Sequence, residues 1–179
     1  MPVAKILVYP DPVLRAKAKD IENIDGRVVR LAEDMAETMY AAPGVGLAAP
    51  QVGVSERLIV VDAKHSEGEK ELITLINPEI VEAEGKVIGE EGCLSLPGVN
   101  EKVTRAERVL VRGYDLKEQQ RQIEAEGLLA IALQHEIDHL DGVLLFDRLS
   151  RLKREIIQRK MRKVMREGLE PEKKDYNLF

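Results

Sequence analysis

The chain has no tryptophan, a single cysteine and only 3% aromatic residues among its 179 positions. The lone Cys93 excludes an internal disulfide framework and points to a reducing compartment. Scarce aromatics require an aliphatic core and argue against stacking platforms for single-stranded nucleic acid. No apolar run approaches the ~20 residues needed to span a bilayer, so a membrane helix is not expected. The opening segment, Met1 to Pro10, carries one basic residue, and its apolar run is broken by Pro10 and Pro12. That pattern lacks the length of a secretory leader, and the expected location is the cytoplasm. A net charge of −5 gives no overall attraction to DNA or other nucleic acid. What remains is 44% hydrophobic and 33% charged residues, the balance of a soluble globular protein. The length suits one domain over residues 1–179.

Apolar residues recur at helical spacing from Arg27 to Ala41, with Asp25 as the candidate N-cap and Pro43–Gly44 as the stop. Short β-branched runs follow at Leu58–Val61, Leu72–Ile76, Ile80–Ala83, Val87–Ile88 and Val109–Val111. Val109–Tyr114 and Gln119–Ile123 are expected to form a hairpin around Asp115–Glu118, although that turn lacks a glycine. A second helix is expected over Gly127–Leu140, ended by Gly142, and a third over Arg148–Glu167. Helix, strands, then helices is not a βαβ alternation. It predicts an α+β fold, with mixed or antiparallel sheets packed around a central helix and flanked by N-terminal and C-terminal helices.

Two of the three histidines stand in His135-Glu136-Ile137-Asp138-His139. Residues four apart share a helix face, so both imidazoles can reach one metal ion. Glu136 projects to the side, able to touch a water on that ion, which is the arrangement of metal-assisted hydrolysis. Leu128 and Ala132 continue the same stripe, so the histidines face inward, where imidazoles need polar partners. A catalytic site usually adds a third protein ligand. Cys93, His65 and a carboxylate are the candidates; Cys93 read without the histidines is better explained as a small buried hydrophobe, and His65 lies in a polar loop. The small-residue stretch Gly44-Val45-Gly46-Leu47-Ala48-Ala49-Pro50-Gln51 lacks the ending of a phosphate loop. It reads either as a tight packed loop or as a wall beside the site, where the Gln51 amide could donate to an oxyanion.

Three segments taken together resemble the signature motifs of the peptide deformylases: Gly44 to Gln51, Glu91-Gly92-Cys93-Leu94-Ser95, and Gln134 to His139. Their order and spacing agree, and the resemblance covers nearly the whole chain. It implies removal of the formyl group from N-formylmethionyl peptides, with release of formate. It implies Cys93, His135 and His139 as ligands of one divalent metal ion, usually Fe²⁺, with Ni²⁺, Co²⁺ or Zn²⁺ able to occupy the site. It implies Glu136 as the catalytic acid/base, and Gln51 with the Leu94 N–H as oxyanion donors. The substrate would lie extended along Gly44, Val45 and Gly46. Helical spacing offers Leu128, Ile131 and Ala132 as a wall for the methionine side chain, although ordinary core packing explains these three equally well. Glu91 and Arg105 could pair in the interior to brace the cysteine loop, or Arg105 could be a surface residue.

Residues 148–167 hold nine Lys/Arg and two acidic residues, against 16 basic and 27 acidic residues in the preceding 147. That asymmetry suggests an anionic partner, and in similar bacterial proteins a basic C-terminal helix docks on the ribosome. Leu149, Leu152 and Ile156 form one stripe, expected to pack on the domain; Ile157, Met161 and Val164 form another, expected to project. Acidic self-repulsion in the main body favours a monomer. Two other readings compete: a zinc metalloprotease with the same His-Glu-His core, and a ribosome-binding factor with a relict metal site. A thiolate ligand separates the first of these from a deformylase. Cobalt-substituted protein should show thiolate-to-metal charge-transfer absorption that Cys93→Ser abolishes; a cobalt-loaded wild type without that band would favour the protease.

Overall fold

The computed structural model describes residues 3–168; residues 1, 2 and 169–179, part of the expected single domain, lie outside the described residues. Helix α1 spans Gly26–Ala41, and the Asp25 carboxylate accepts from the Arg27 and Val28 N–H groups, as its N-cap role requires. Strands β1 (Gly46–Ala48), β2 (Leu58–Val61), β3 (Ile73–Glu84), β6 (Arg108–Tyr114) and β7 (Gln120–Glu126) form an antiparallel sheet in the order β1-β2-β3-β6-β7. Strands β4 (Val87–Gly92) and β5 (Asn100–Arg105) pair separately. Helix α2 spans Gly127–Leu140, as read from the sequence, and α3 spans Arg151–Arg166. The fold is α+β.

Strand β2 explains how the layers meet. All four of its residues are buried because both faces of the strand are covered. Ile59 and Val61 pack with Ala132, Leu133 and Ile137 of α2. Leu58 and Val60 point the other way, against Met35 and Met39 of α1. The two-residue period also sorts β1: Leu47 joins the α1 side and Ala48 the α2 side. Gly46 therefore shares the face of Ala48, toward α2. Arg57 caps the far end of α2, donating to the Leu140 carbonyl and to Asp141.

An extended N-terminal strap crosses the site-bearing segments. The Leu7 N–H donates to the Gln51 carbonyl at 2.7 Å, the Tyr9 N–H to Ser95 at 3.0 Å, and the Ala18 N–H to Leu140 at 2.8 Å. Tyr9 and Leu14 pack there with Leu144, Leu145 and Phe146 in a third core cluster.

Several expectations need correction. Strands β1 and β5 are additions to the strands expected from the sequence. β1 has only three residues, and β5 is polar, with Val103 and Arg105 alone buried. The runs at Leu72–Ile76 and Ile80–Ala83 are one strand, β3, bulged near Asn77–Pro78 and again before Glu82. Pro78 cannot donate to a ladder, and Asn77 (φ 50) instead clamps the Ile21 backbone with its side-chain amide. Glu118 takes positive φ (62) in the β6–β7 turn in place of the missing glycine, while the Asp115 side chain accepts from the Lys117 and Gln119 N–H groups.

The C-terminal helix also departs. Leu145–Arg148 is a 3₁₀ turn, Leu149 is extended, and Ser150 caps α3. Leu149 thus shares no helical face with Leu152 and Ile156, which are 69% and 54% exposed. Ile157 and Met161 are the residues that pack, against the third cluster. Ile157 and Met161, expected to project, are buried and Val164 is half-buried; Leu152 and Ile156, expected to pack, face solvent, while Leu149 packs on the domain as expected, from outside the helix.

Gly142, just past α2, has φ +70, and a Cβ there would lie 2.5 Å from the Arg15 carbonyl oxygen in the strap. Gly142→Ala is expected to destabilise the protein by at least about 1–2 kcal/mol, read by urea unfolding at neutral pH.

Candidate metal centre

Helix α2 carries an unusual load for a buried helix: Gln134, His135, Glu136 and His139 are all at most 8% exposed. Each polar group needs a partner. Gln134 finds its own, accepting from the Ala106 N–H and donating to the carbonyls of Ala106 and Ala130. The two imidazoles lie with ring centroids 5.0 Å apart. Cys93, directly after β4, brings its Sγ to 3.3 Å from His139 Nε2. One donor atom from each of Cys93, His135 and His139 falls within 4.8 Å of the other two, and all three residues are buried. A thiolate and two imidazoles are a standard ligand set for a transition metal, with a fourth position left for water. His65 is not among them; it lies against the Tyr40 ring, centroids 4.6 Å apart.

The surrounding groups fit such an ion. His135 Nδ1 lies 3.1 Å from Glu91 Oε2, so the network assigns its proton to that bond and leaves Nε2 for the cluster. Glu91 is in turn held by Arg105, through Nε at 2.8 Å and Nη2 at 2.9 Å. Of the two roles open to Arg105, the structure shows the interior pair. Arg105 also reaches Asp138, at 2.6 Å, and Asp138 is paired with Arg148. Asp138 and Arg148 were not singled out in the sequence. The available signal was that Asp138 lies three residues after His135, on neighbouring helix turns. Among the described residues, Glu136 Oε2 is buried with no hydrogen-bond partner. That orphan oxygen is what a site for a metal and a polarised water would require.

The electrostatics follow the same geometry. Burial alone would raise the Glu91 carboxyl, but hydrogen bonds from Arg105 and His135 outweigh it and hold its pKa at about 2. Burial pushes Glu136 up to about 7; the nearby His135 and Arg105 oppose this, and Glu91 and Asp138 add to it. Burial, with the charges of His135 and Arg105, keeps His139 neutral and ready to ligate. Burial also disfavours charge on His135, yet Cys93 and Glu91 raise its pKa; a metal ion bound at Nε2 would replace that proton.

A pocket of about 10 Å³ opens at the cluster, lined by Val45, Gly46, Gln51, Gly92, Cys93, Leu94, His135 and Glu136. That is roughly the space of one water-sized sphere. Gly46 is there because Glu136 is: a Cβ on Gly46 would sit 2.6 Å from Glu136 Oε1. A Cβ on Gly44 would meet Leu94 Cδ1 at 3.0 Å. Gln51 is clamped, accepting from the Ala48 N–H at 2.9 Å and donating to Ser95 Oγ at 3.1 Å, with Nε2 3.9 Å from the Cys93 sulfur. Among the described residues the Leu94 N–H donates to no backbone carbonyl. Leu128 and Ile131 are half-buried and Ala132 is in the core, all outside the pocket lining. A larger hollow of about 540 Å³ over β3, β6 and β7 is lined by Glu82, Glu84, Glu124 and Glu126, and brings no metal-binding group together.

An α+β frame that buries a cysteine sulfur and two imidazoles beside an unpartnered glutamate defines a mononuclear metalloenzyme. A sequence model described as polypeptide deformylase matches residues 3–155. A peptide deformylase of Thermodesulfovibrio yellowstonii is 55% identical over 162 residues, covering 90% of this chain and 98% of that one. The crystal structure of a peptide deformylase from Legionella pneumophila is 48% identical with a TM-score of 0.86, covering 95% of this chain and 100% of that one. That of Ehrlichia chaffeensis peptide deformylase in complex with actinonin is 39% identical with a TM-score of 0.87, covering 93% and 99%. The chain belongs to the polypeptide deformylase family.

The Glu91 depression has a sign that can be tested. A carboxyl at about 2 when folded and 4.5 when free stabilises the protein above pH 4.5, and that contribution disappears as pH falls toward 2. Glu91→Gln should cost on the order of 3 kcal/mol at pH 7, and its deficit against wild type should shrink as pH drops below 4.5. Denaturant unfolding of both proteins from pH 7 to pH 3 reads this.

Proposed function

We propose that this protein hydrolyses the formyl group from N-formylmethionyl peptides at the start of nascent chains, releasing formate. The observation that carries the reading is the unpartnered Glu136 Oε2, buried in a pocket of about 10 Å³ beside Cys93, His135 and His139. A divalent ion held by those three residues would supply Lewis-acid activation of water and of the formyl oxygen. Fe²⁺ is the expected native ion, although a thiolate with two imidazoles also accepts Ni²⁺, Co²⁺ and Zn²⁺.

Glu136 takes a proton from the attacking water as its oxygen bonds to the formyl carbon. The same carboxyl then returns that proton to the departing amine as the C–N bond breaks. Negative charge gathers on the former formyl oxygen. Gln51 Nε2 and the Leu94 N–H donate to it, and the clamp from Ala48 and Ser95 means Gln51 needs no reorientation. Formyl carries hydrogen where larger acyl groups carry carbon, so a pocket walled by Gly46, Gln51 and Leu94 excludes acetyl by shape.

Strand β1 lies at the edge of its sheet, and a substrate extended along Gly44, Val45 and Gly46 would add a strand there. The half-buried Leu128 and Ile131, with Ala132 and Val45, form the wall for the methionine side chain. Away from the site, α3 exposes Leu152 and Ile156 amid Arg and Lys, a face suited to ribosomal RNA and its proteins. The working form is a cytoplasmic monomer, with residues 1–179 as a single domain. Cys93 in the donor cluster argues against the zinc metalloprotease, whose third ligand lies downstream of the helix.

Formate release from formyl-Met-Ala-Ser by anaerobically purified protein tests the reading. Wild type should release formate, while chelator-treated protein and Glu136→Ala should not. Gln51→Ala should lower kcat by about 10²–10³. No formate from wild type carrying one metal per chain would remove the proposal.

A further inference from the structure

Asp138 is the one charged residue of the His135–His139 segment that touches neither the pocket nor the donor cluster. It is nonetheless held from two sides. Arg105 Nη1 reaches its Oδ2 at 2.6 Å. Arg148 approaches as a fork, with Nη2 2.6 Å from Oδ1 and Nε 3.0 Å from Oδ2. The Arg105 side chain is 3% exposed and that of Asp138 13%, whereas Arg148 is 47% exposed. Behind them a hollow of about 290 Å³ is lined by Thr104, Arg105, Asp138 and Arg148.

Arg105 thus stands between two carboxylates. Its Nε and Nη2 serve Glu91 and its Nη1 serves Asp138. A guanidinium prefers a two-pronged grip on one carboxylate. Whether that grip stays on Glu91 depends on how much of the Asp138 charge is met from elsewhere. Arg148 meets it with two hydrogen bonds. Glu91, so held, keeps its Oε2 on His135 Nδ1 and fixes which imidazole nitrogen faces the cluster.

We propose that Arg148 is a positioning residue for the metal centre: by gripping both oxygens of Asp138 it reserves Arg105 for Glu91, and Glu91 for His135. Arg148 closes the 3₁₀ turn two residues before Ser150, the cap of α3. The start of the basic helix is therefore tied to the orientation of a metal ligand, although Arg148 itself touches none.

The inference rests on Cys93, His135 and His139 holding a metal ion, so its test reads binding rather than turnover. Metal-free protein is titrated with Co²⁺ and followed by thiolate-to-cobalt absorption, well below each variant's thermal midpoint. Arg148→Ala should weaken binding about tenfold. Arg148→Lys, which keeps the charge without the fork, should fall between it and wild type. Asp138→Asn removes the competing charge but keeps an acceptor for Arg105. It should bind within twofold of wild type, and so should the double variant R148A/D138N. Rescue by a second substitution is what a merely structural role would not give. Arg151→Ala, beside the same helix start and, among the described residues, paired with Glu155 rather than Asp138, is the control.

Should Arg148→Ala prove too unstable to titrate, Arg148→Gln replaces it. Arg148→Ala, or Arg148→Gln in its place, binding cobalt within twofold of wild type overturns the proposal. So does a double variant as weak as R148A alone. A wild type that binds no cobalt overturns the metal reading and this inference together.

Discussion

Glu91 places a full carboxylate at 0% side-chain exposure, and the fold can hold it there only because Arg105 answers with two hydrogen bonds from 3% exposure. Such a pair is weak evidence for stability as a whole, since desolvating two ions offsets most of their attraction. Its value lies in direction. Glu91 is on β4 and Arg105 on its partner strand β5, so the pair ties this two-stranded sheet together across its register. The same carboxylate orients His135 on α2. One interaction therefore sets the hairpin that delivers Cys93 and the tautomer of a histidine delivered by the helix. Two apolar residues of equal volume could fill the space but could not choose a nitrogen.

The remaining parts of the site arrive from distant points in the chain, and ordinary packing brings them together. Strand β2, covered on both faces, fixes β1 beside it, and the alternation along β1 turns Gly46 to Glu136. Ser95 and Ala48 fix the Gln51 amide. The strap then bonds to the backbone of Gln51, Ser95 and Leu140, one residue in or beside each of the three motifs. Rigidity at the centre is thus borrowed from a segment that carries no chemistry, a general requirement for groups that must be held to fractions of an ångström.

How much of this was legible in the sequence follows from where local signals are strong. Helices α1 and α2 were readable because Asp25, Pro43 and Gly142 punctuate clear periodic patterns. The donor trio was readable from His135 and His139 one turn apart, and Cys93 entered through family resemblance. Strand β5 was not readable, because Asn-Glu-Lys-Val-Thr-Arg buries only Val103 and Arg105, and the second of these is charged. The phase of α3 was misread because Leu149 looks helical by spacing but sits extended before the Ser150 cap. Leu149 packs from outside the helix, so its contact does not mark the face of α3 that packs; Ile157 and Met161 take that face and Leu152 and Ile156 are exposed. Asp138 and Arg148 escaped notice because their partners lie 33 and 10 residues away, beyond any helical period.

The places where the chain breaks its own local rules gather at the centre, and this bears on function. Glycine weakens a strand, yet β1 begins with Gly46, where any side chain would collide with Glu136. A buried carboxylate oxygen wants a donor, yet Glu136 Oε2 has none among the described residues. A helix interior disfavours charge, yet α2 carries Glu136 and Asp138 a half-turn apart. Each departure costs stability, and a sequence selected for folding alone would remove all of them. Their concentration in and just behind one pocket, with the compensating pairs Glu91–Arg105 and Asp138–Arg148 beside it, shows where stability was given up and where it was restored. The unpartnered oxygen is then the informative atom. Glu91, Arg105 and Asp138 near it each have an ion-pair partner, and among the described residues this oxygen has none and is left for a ligand.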